Sequence, residues 1–333
     1  MKWWRNRSGW VILPLLAGLL LGAGMLASLL GAVSIPLPHI LKMSLNKLGI
    51  AHFAITWRES EEAIWFYIRL PRVLGAGLVG AALASAGVLF QGLLRNPMAD
   101  PYIIGTSAGA AFATTIALLF PISLSLFGFG LVPMAAFVGA LSAVLLVYNL
   151  ARIGGKVPIV SLLLAGFVVS SILIAGMFLL LAISGTLQLK LPSLFRFLMG
   201  GISVNYWSQL AIIAPLILGG VVLARLSAFR LNAFALGDEG AAALGLNVER
   251  EKILILATGS LLTAAAVSIS GLIGFVGLIT PHALRLVVGP EHRLLLPSAA
   301  LAGASFLILA DLLARTLLSP AELPVGILTA LLG

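Results

Sequence analysis

Apolar residues run in blocks separated by short polar breaks, at about 10–33, 64–94, 102–120, 129–150, 159–183, 207–226, 253–270, 272–289, 295–318 and 324–333. A helix needs about 20 such residues to cross ~30 Å of hydrocarbon. The pattern therefore predicts an all-α polytopic membrane protein with about ten transmembrane helices. The eighth run is interrupted near Pro281. The tenth would rise only about 15 Å as a helix, so that span reads as cut short. No polar stretch is long enough for a soluble domain, and residues 1–333 form a single transmembrane domain.

The most informative break lies in RLPRVLGAGLVGAALASAGVLFQGLLRNPMADPYIIGTSAG at 69–109. Asn96 precedes Pro97 and Asp100 precedes Pro101, which pushes both pre-proline residues away from the α region. Each proline also withholds an amide donor. Two membrane helices thus meet at a tight polar corner. Residues 35–63 form a longer excursion holding His39, His52, Glu59, Glu61 and Glu62, and 227–251 form another. In the latter, Gly237 and Gly245 flank an alanine-rich stretch predicted to be a short helix. Asp238 and Glu239 suit its N-terminal turn, where the helix dipole favours negative charge.

Composition agrees with the pattern: 61% of residues are hydrophobic and 9% charged, against roughly 25% charged in a soluble domain. The absence of cysteine excludes a disulfide framework, cysteine-based metal sites and thiol catalysis. A net charge of +9 reflects loops retained on the cytoplasmic side, and no nucleic-acid partner is expected. If the chain starts inside, cytoplasmic segments hold 12 Lys and Arg, among them Lys2, Arg5, Arg7 and Arg95, and external segments hold 8. That asymmetry predicts a cytoplasmic N-terminus and a cytoplasmic Asn96–Pro101 corner. The first apolar run is longer than the roughly 7–15 residues of a signal-peptide core, so it reads as a retained helix.

Several motifs dissolve in context. Gly75-Ala-Gly77-Leu-Val-Gly80 has the dinucleotide-binding spacing but lies inside a membrane helix, so helix packing explains it. Gly155-Lys156 lacks the earlier glycine of a P-loop and has Val157 where magnesium would need a hydroxyl. Asn6-Arg-Ser8 fits a glycosylation sequon within a basic tail, a chance match. The four histidines, His282 beside Pro281 among them, show no metal-ligand spacing. Gly18/Gly22, Gly105/Gly109 and the row Ala76, Gly80, Ala84 predict close helix approaches. Asp311 is the only acidic residue deep in an apolar run, and Arg315, four positions on, can pair with it. Arg196, outside the fifth span, fits an interfacial anchor or a cation facing an acidic ligand.

The 69–110 stretch closely resembles the permease subunits of ATP-binding-cassette importers for iron-siderophores, haem and vitamin B12. So do FLMGGISVNYW at 197–207, GDEGAAALGLNV at 237–248, and GLIGFVGLITPHALRLVVGPEHRLLLP with ADLLARTLLSPAELPVGILTALLG. The resemblance runs from about 64 to the end. It implies a ten-span importer permease bundle in the bacterial inner membrane, paired with a second copy of itself. Two cytoplasmic ATPase subunits would bind below and an external, periplasmic or lipid-anchored binding protein would dock above. Such a subunit is no enzyme and carries no cofactor; ATP and Mg would be bound by the ATPase. The cargo would be a bulky metal chelate, moved by alternating access. Carried over, the binding-protein docking residues are Arg69, Arg72 and Arg315, where charge complementarity would set register. The ATPase-coupling residues are Leu236, Gly237, Asp238, Glu239, Ala242, Leu244 and Gly245. The cytoplasmic gate would fall at Ile159 and Val160, an apolar constriction that closes by excluding water, and Arg196 would face the path. Members continue beyond PVGILTALLG, where this sequence stops. The alternative is an ion- or proton-coupled secondary transporter, which needs intramembrane carboxylates and paired broken helices; Asp311 alone argues against it.

Overall fold

The computed structural model describes every residue except Met1, Ala32, Pro121, Ser123, Leu124, Phe127, Asn205 and Pro320, and describes residues 2–10 by backbone alone. The side chains of Lys2, Arg5, Arg7 and the Asn6–Ser8 sequon thus lie outside the described residues. Each apolar run is helical. Helix α1 spans Lys2–Leu29, α2 Leu37–Lys47 and α3 Glu59–Ala63. A π-helical segment, Ile64–Arg69, joins α3 directly to α4, Leu70–Leu93, and the three make one 35-residue rod, Glu59–Leu93. Next come α5 Thr106–Leu119, a two-residue antiparallel hairpin (β1 Ser125–Leu126, β2 Phe129–Gly130), α6 Leu131–Ala151 and α7 Ile159–Ile183. Short helices α8 Gly185–Leu189 and α9 Leu191–Met199 precede α10 Trp207–Leu226. Two more, α11 Ala228–Phe234 and α12 Gly237–Ala243, precede α13 Val248–Ser270. The chain continues through α14 Val276–Val288, α15 His292–Thr316 and α16 Val325–Leu332.

Among the described residues, seven helices are long and apolar enough to cross a membrane. Of the remaining three runs, α5, α14 and α16 form 14-, 13- and 8-residue helices. The ten expected segments are thus all present as helices of unequal length. The turn between α13 and α14 folds into the protein. Gly271 and Phe275 there adopt positive φ, 62° and 69°. The Leu272 amide donates to the Phe197 carbonyl (3.0 Å), and the Gly201 amide to Ser270 (2.8 Å). Irregular backbone is tolerated in a membrane protein only where protein or a water-filled cavity satisfies it, and here α9 and the strand-like 200–203 segment do so.

Helix α4 packs against α15, α13, α14 and α10 at the centre of the bundle. Small residues make this possible. A Cβ built on Gly87 would lie 1.8 Å from the Gly277 carbonyl oxygen, and one on Gly80 2.1 Å from that of Gly303. Gly109 meets Gly139 of α6 in the same way, at 2.3 Å. The other expected pairs behave differently. Gly18 and Gly22 of α1 face open space, because no partner helix reaches that side. Gly105 is needed first for its positive φ of 86° at the start of α5, and a Cβ there would also lie 3.3 Å from Ser170 Oγ of α7.

Candidate functional site

Polar side chains gather at two opposite ends of the bundle. At the first, the π-helical segment ends on Arg69, which is 4% exposed. Its guanidinium donates to the carbonyls of Ser28 (3.2 Å), Leu29 (3.3 Å) and Val33. Terminal carbonyls of a helix have no partner within it, so Arg69 satisfies the end of α1 from outside. Arg72 Nε donates to both oxygens of Asp311, at 3.0 and 3.2 Å, and Nη1 to those of Glu322, at 3.1 and 3.0 Å. Arg315 Nε lies 3.5 Å from Asp311, and the same guanidinium donates to the Ala27 carbonyl. Asp311 is therefore shared by two arginines. Its closer partner is Arg72, 239 positions away; the i, i+4 spacing identified only Arg315.

The second end joins the corner after α4 to the short helices. Asn96 Oδ1 accepts the Met98 amide (3.0 Å) and Asp100 Oδ1 the Tyr102 amide (2.7 Å), so each pre-proline side chain closes its own turn. Burial pushes the Asp100 carboxyl above the usual range, against the pull of the Tyr102 amide. Arg95, at a left-handed φ of 53°, reaches Asp238 at 2.9 Å. Lys252 is 4% exposed, and its Nζ lies 2.7 Å from Asp238, 3.2 Å from Glu249 and 3.3 Å from the Val157 carbonyl. Glu249 in turn accepts the Val157 amide at 2.8 Å. Nearby, Asn232 Oδ1 accepts both the His292 amide (3.1 Å) and Nδ1–H (2.7 Å). Arg230 pairs with Glu251, and Arg285 donates to Gln91 at 3.0 Å.

The turn before α14 and the helix α16 border an open hollow of about 530 Å³. It is lined by Tyr102, Met199, Phe275, Ile327 and Leu331 among others. The Tyr102 hydroxyl fixes its wall, donating to the Ile273 carbonyl (3.0 Å) and accepting the Ile273 amide (3.2 Å). Among the described residues, no three His, Asp or Glu side chains gather into a metal-ligand set.

Residues 19–333 match the family model of the FecCD transport family. The chain belongs to the FecCD transport family. It is 45% identical to the hemin transport system permease protein HmuU of Yersinia pestis over 81% of this chain and 80% of that protein. It is 44% identical to the cobalamin import system permease protein BtuC of Halobacterium salinarum, over 83% of this chain and 72% of that one. Among solved structures, it is similar to an inward-facing conformation of a metal-chelate type ABC transporter. The TM-score is 0.82 and the identity 35%, over 97% of this chain and 96% of that one.

In this FecCD chain, Arg69, Arg72 and Arg315 come together at one end. Arg69 and Arg315 are buried there, and Arg72 keeps a side chain 17% exposed beside Glu322, 56% exposed. The expected short helix after Leu236 is α12, opened by Gly237, Asp238 and Glu239 and followed by Gly245 at φ 83°. Leu236 and Leu244 stand exposed at its two ends, with Ala242 between them also exposed. Ile159 and Val160 form the first turn of α7, Ile159 half-buried and Val160 exposed. Arg196 is exposed on α9, three positions before cavity-lining Met199, and holds no ion pair or hydrogen bond among the described residues. Sequence reasoning missed Lys252, Glu249, Asn232 and His292. Their partners lie up to 95 positions away, and no local spacing announces them.

Proposed function

We propose that this chain is the membrane-spanning subunit of an ATP-driven, binding-protein-dependent importer of a bulky metal chelate: an iron-siderophore, haem or cobalamin. The observation that carries the reading is the near full-length similarity to FecCD permeases and to a metal-chelate ABC transporter. Two copies would enclose the path, and the long apolar face of α7 suits such a partner. The end bearing α12 faces the cytoplasm, where two ATPase subunits bind ATP and Mg, and the N-terminus lies on that side. Leu236, Gly237, Asp238, Glu239, Ala242, Leu244 and Gly245 present a compact, capped knob to the ATPase, stiff enough to transmit force. Ile159 and Val160 serve as the cytoplasmic gate. The chain performs no covalent chemistry; ATP hydrolysis shifts the populations of inward- and outward-open states. Arg196, a cation with no partner among the described residues and three positions before Met199 of the apolar hollow, favours a cargo bearing carboxylates.

At the opposite end the binding protein docks over Arg69, Arg72 and Arg315. Arg72 makes the contact by exchanging Glu322 for a carboxylate of the binding protein, and the two buried arginines hold its support in place. Glu322→Gln should then strengthen association and Arg72→Gln weaken it, both more at low salt, since exposed charges are screened within about 10 Å at 0.1 M. Unchanged affinity in both variants at both salt levels refutes the assignment. The reading as a whole is tested with the subunit, its ATPase and its binding protein in liposomes. Chelate uptake is expected only with hydrolysable ATP. Uptake driven by a proton or sodium gradient without ATP would establish a secondary transporter, a reading that Asp311, held by two arginines, does not favour.

A further inference from the structure

Lys252 is the one buried lysine among the described residues, and its three acceptors belong to three different pieces of chain. Asp238 opens α12, Glu249 lies on the first turn of α13, and the Val157 carbonyl precedes α7. Glu249 closes the loop by accepting the Val157 amide at 2.8 Å. Both backbone polar groups of Val157 are thus held by α13 side chains, and Pro158, the next residue, caps α7. A short bridge between Ile153 and Lys156 stiffens the approach to this point. Charge-assisted hydrogen bonds are roughly twice as strong as neutral ones and directional. A buried ammonium that loses one acceptor must find another, because leaving it unpaired is strongly unfavourable. The start of α7 cannot shift relative to α12 without breaking this arrangement.

We infer that Lys252, with Glu249, is the positioning residue that makes α12 and the first turn of α7 move as one body. Displacement of α12 then reaches Ile159 and Val160 directly. Arg95, on the other oxygen of Asp238 at 2.9 Å, extends the same body to the corner after α4. The inference rests on the reading above that α12 meets the ATPase. It concerns what passes the movement on, not what receives it.

The test uses the assembled importer in liposomes, with ATP hydrolysis and chelate uptake followed in the same vesicles. Lys252→Met should leave hydrolysis within twofold and lower uptake per ATP about tenfold, a loss typical of a broken coupling between sites. Glu249→Ala, which removes the acceptor of the Val157 amide but leaves Lys252 on Asp238, should shift the ratio the same way by less. An independent readout uses the absence of native cysteine. Spin labels on cysteines placed at Val160 and Leu244 should keep one narrow distance in all nucleotide states of the wild type, and a broadened one in Lys252→Met. An unchanged uptake ratio, or a wild-type distance that changes with nucleotide, overturns the role of Lys252 while ATP-driven uptake stands. Absence of ATP-driven uptake in the wild type instead overturns the importer reading, and this inference with it.

Discussion

Helices α4 and α7 look alike as membrane spans, yet they live in opposite surroundings. In the most apolar part of the rod that contains α4, 78% of residues are buried inside the protein, against 17% in α7, which is the more apolar of the two. Hydrophobicity brings both into the bilayer but cannot decide what they touch there, since lipid is as apolar as leucine. Side-chain size decides it. Between Gly75 and Gly87, α4 is mostly glycine and alanine, so neighbouring backbones close on it from several sides. Helix α7 carries leucine, isoleucine, valine and phenylalanine all round. Only the stripe Leu162, Gly166, Val169 and Met177 is buried, against α5 and α6. One helix is the scaffold, and the other keeps most of its surface outside the packed interior.

The comparison breaks most visibly at the charged end of α4. Asp311→Ala leaves Arg72 and Arg315 without their shared carboxylate in a buried site, and should cost about 3–5 kcal/mol. Thermal unfolding of the purified subunit checks this, and a stability equal to wild type would mean that the arginines find water instead. Next in size is the seam of small residues. Gly87→Ala places a methyl 1.8 Å from the Gly277 carbonyl oxygen, forcing α4 and α14 apart at roughly 1–3 kcal/mol. Gly22→Ala on α1, with nothing within 4 Å of the added carbon, should stay within about 0.5 kcal/mol of wild type. Equal effects at the two glycines would sink the size argument.

Much of this architecture is legible in the chain. The apolar runs mark ten helices, the prolines after Asn96 and Asp100 mark the corner, and Gly237 and Gly245 bracket α12. The limit shows at the G-x-x-x-G pairs. Spacing permits a close approach at Gly18 and Gly22 as much as at Gly109, but only Gly109 meets another helix. Local spacing says what a surface can accept, not whether a partner arrives. The same limit hides Arg72 from Asp311 and Lys252 from Val157, since both contacts depend on how distant helices stack. Arg69 is harder still, because the π-helical segment before it shifts the facing of every residue by a fraction of a turn.

The smallest effect tests the other half of the comparison. Phe167 of α7 is 70% exposed and Leu164 62%, so replacing either with alanine removes almost no packing within the subunit. Unfolding of the isolated chain should change by less than about 0.5 kcal/mol, although the same truncation in a packed core costs roughly 2–5 kcal/mol. If a second copy covers this face in the assembled importer, the alanines instead weaken association of the two copies, by about 1 kcal/mol or more at a well-packed position. Sedimentation in detergent over a range of protein concentrations reads that difference directly. A marked loss of stability in the isolated subunit would show that α7 is already packed, and that its residue sizes do not report its surroundings.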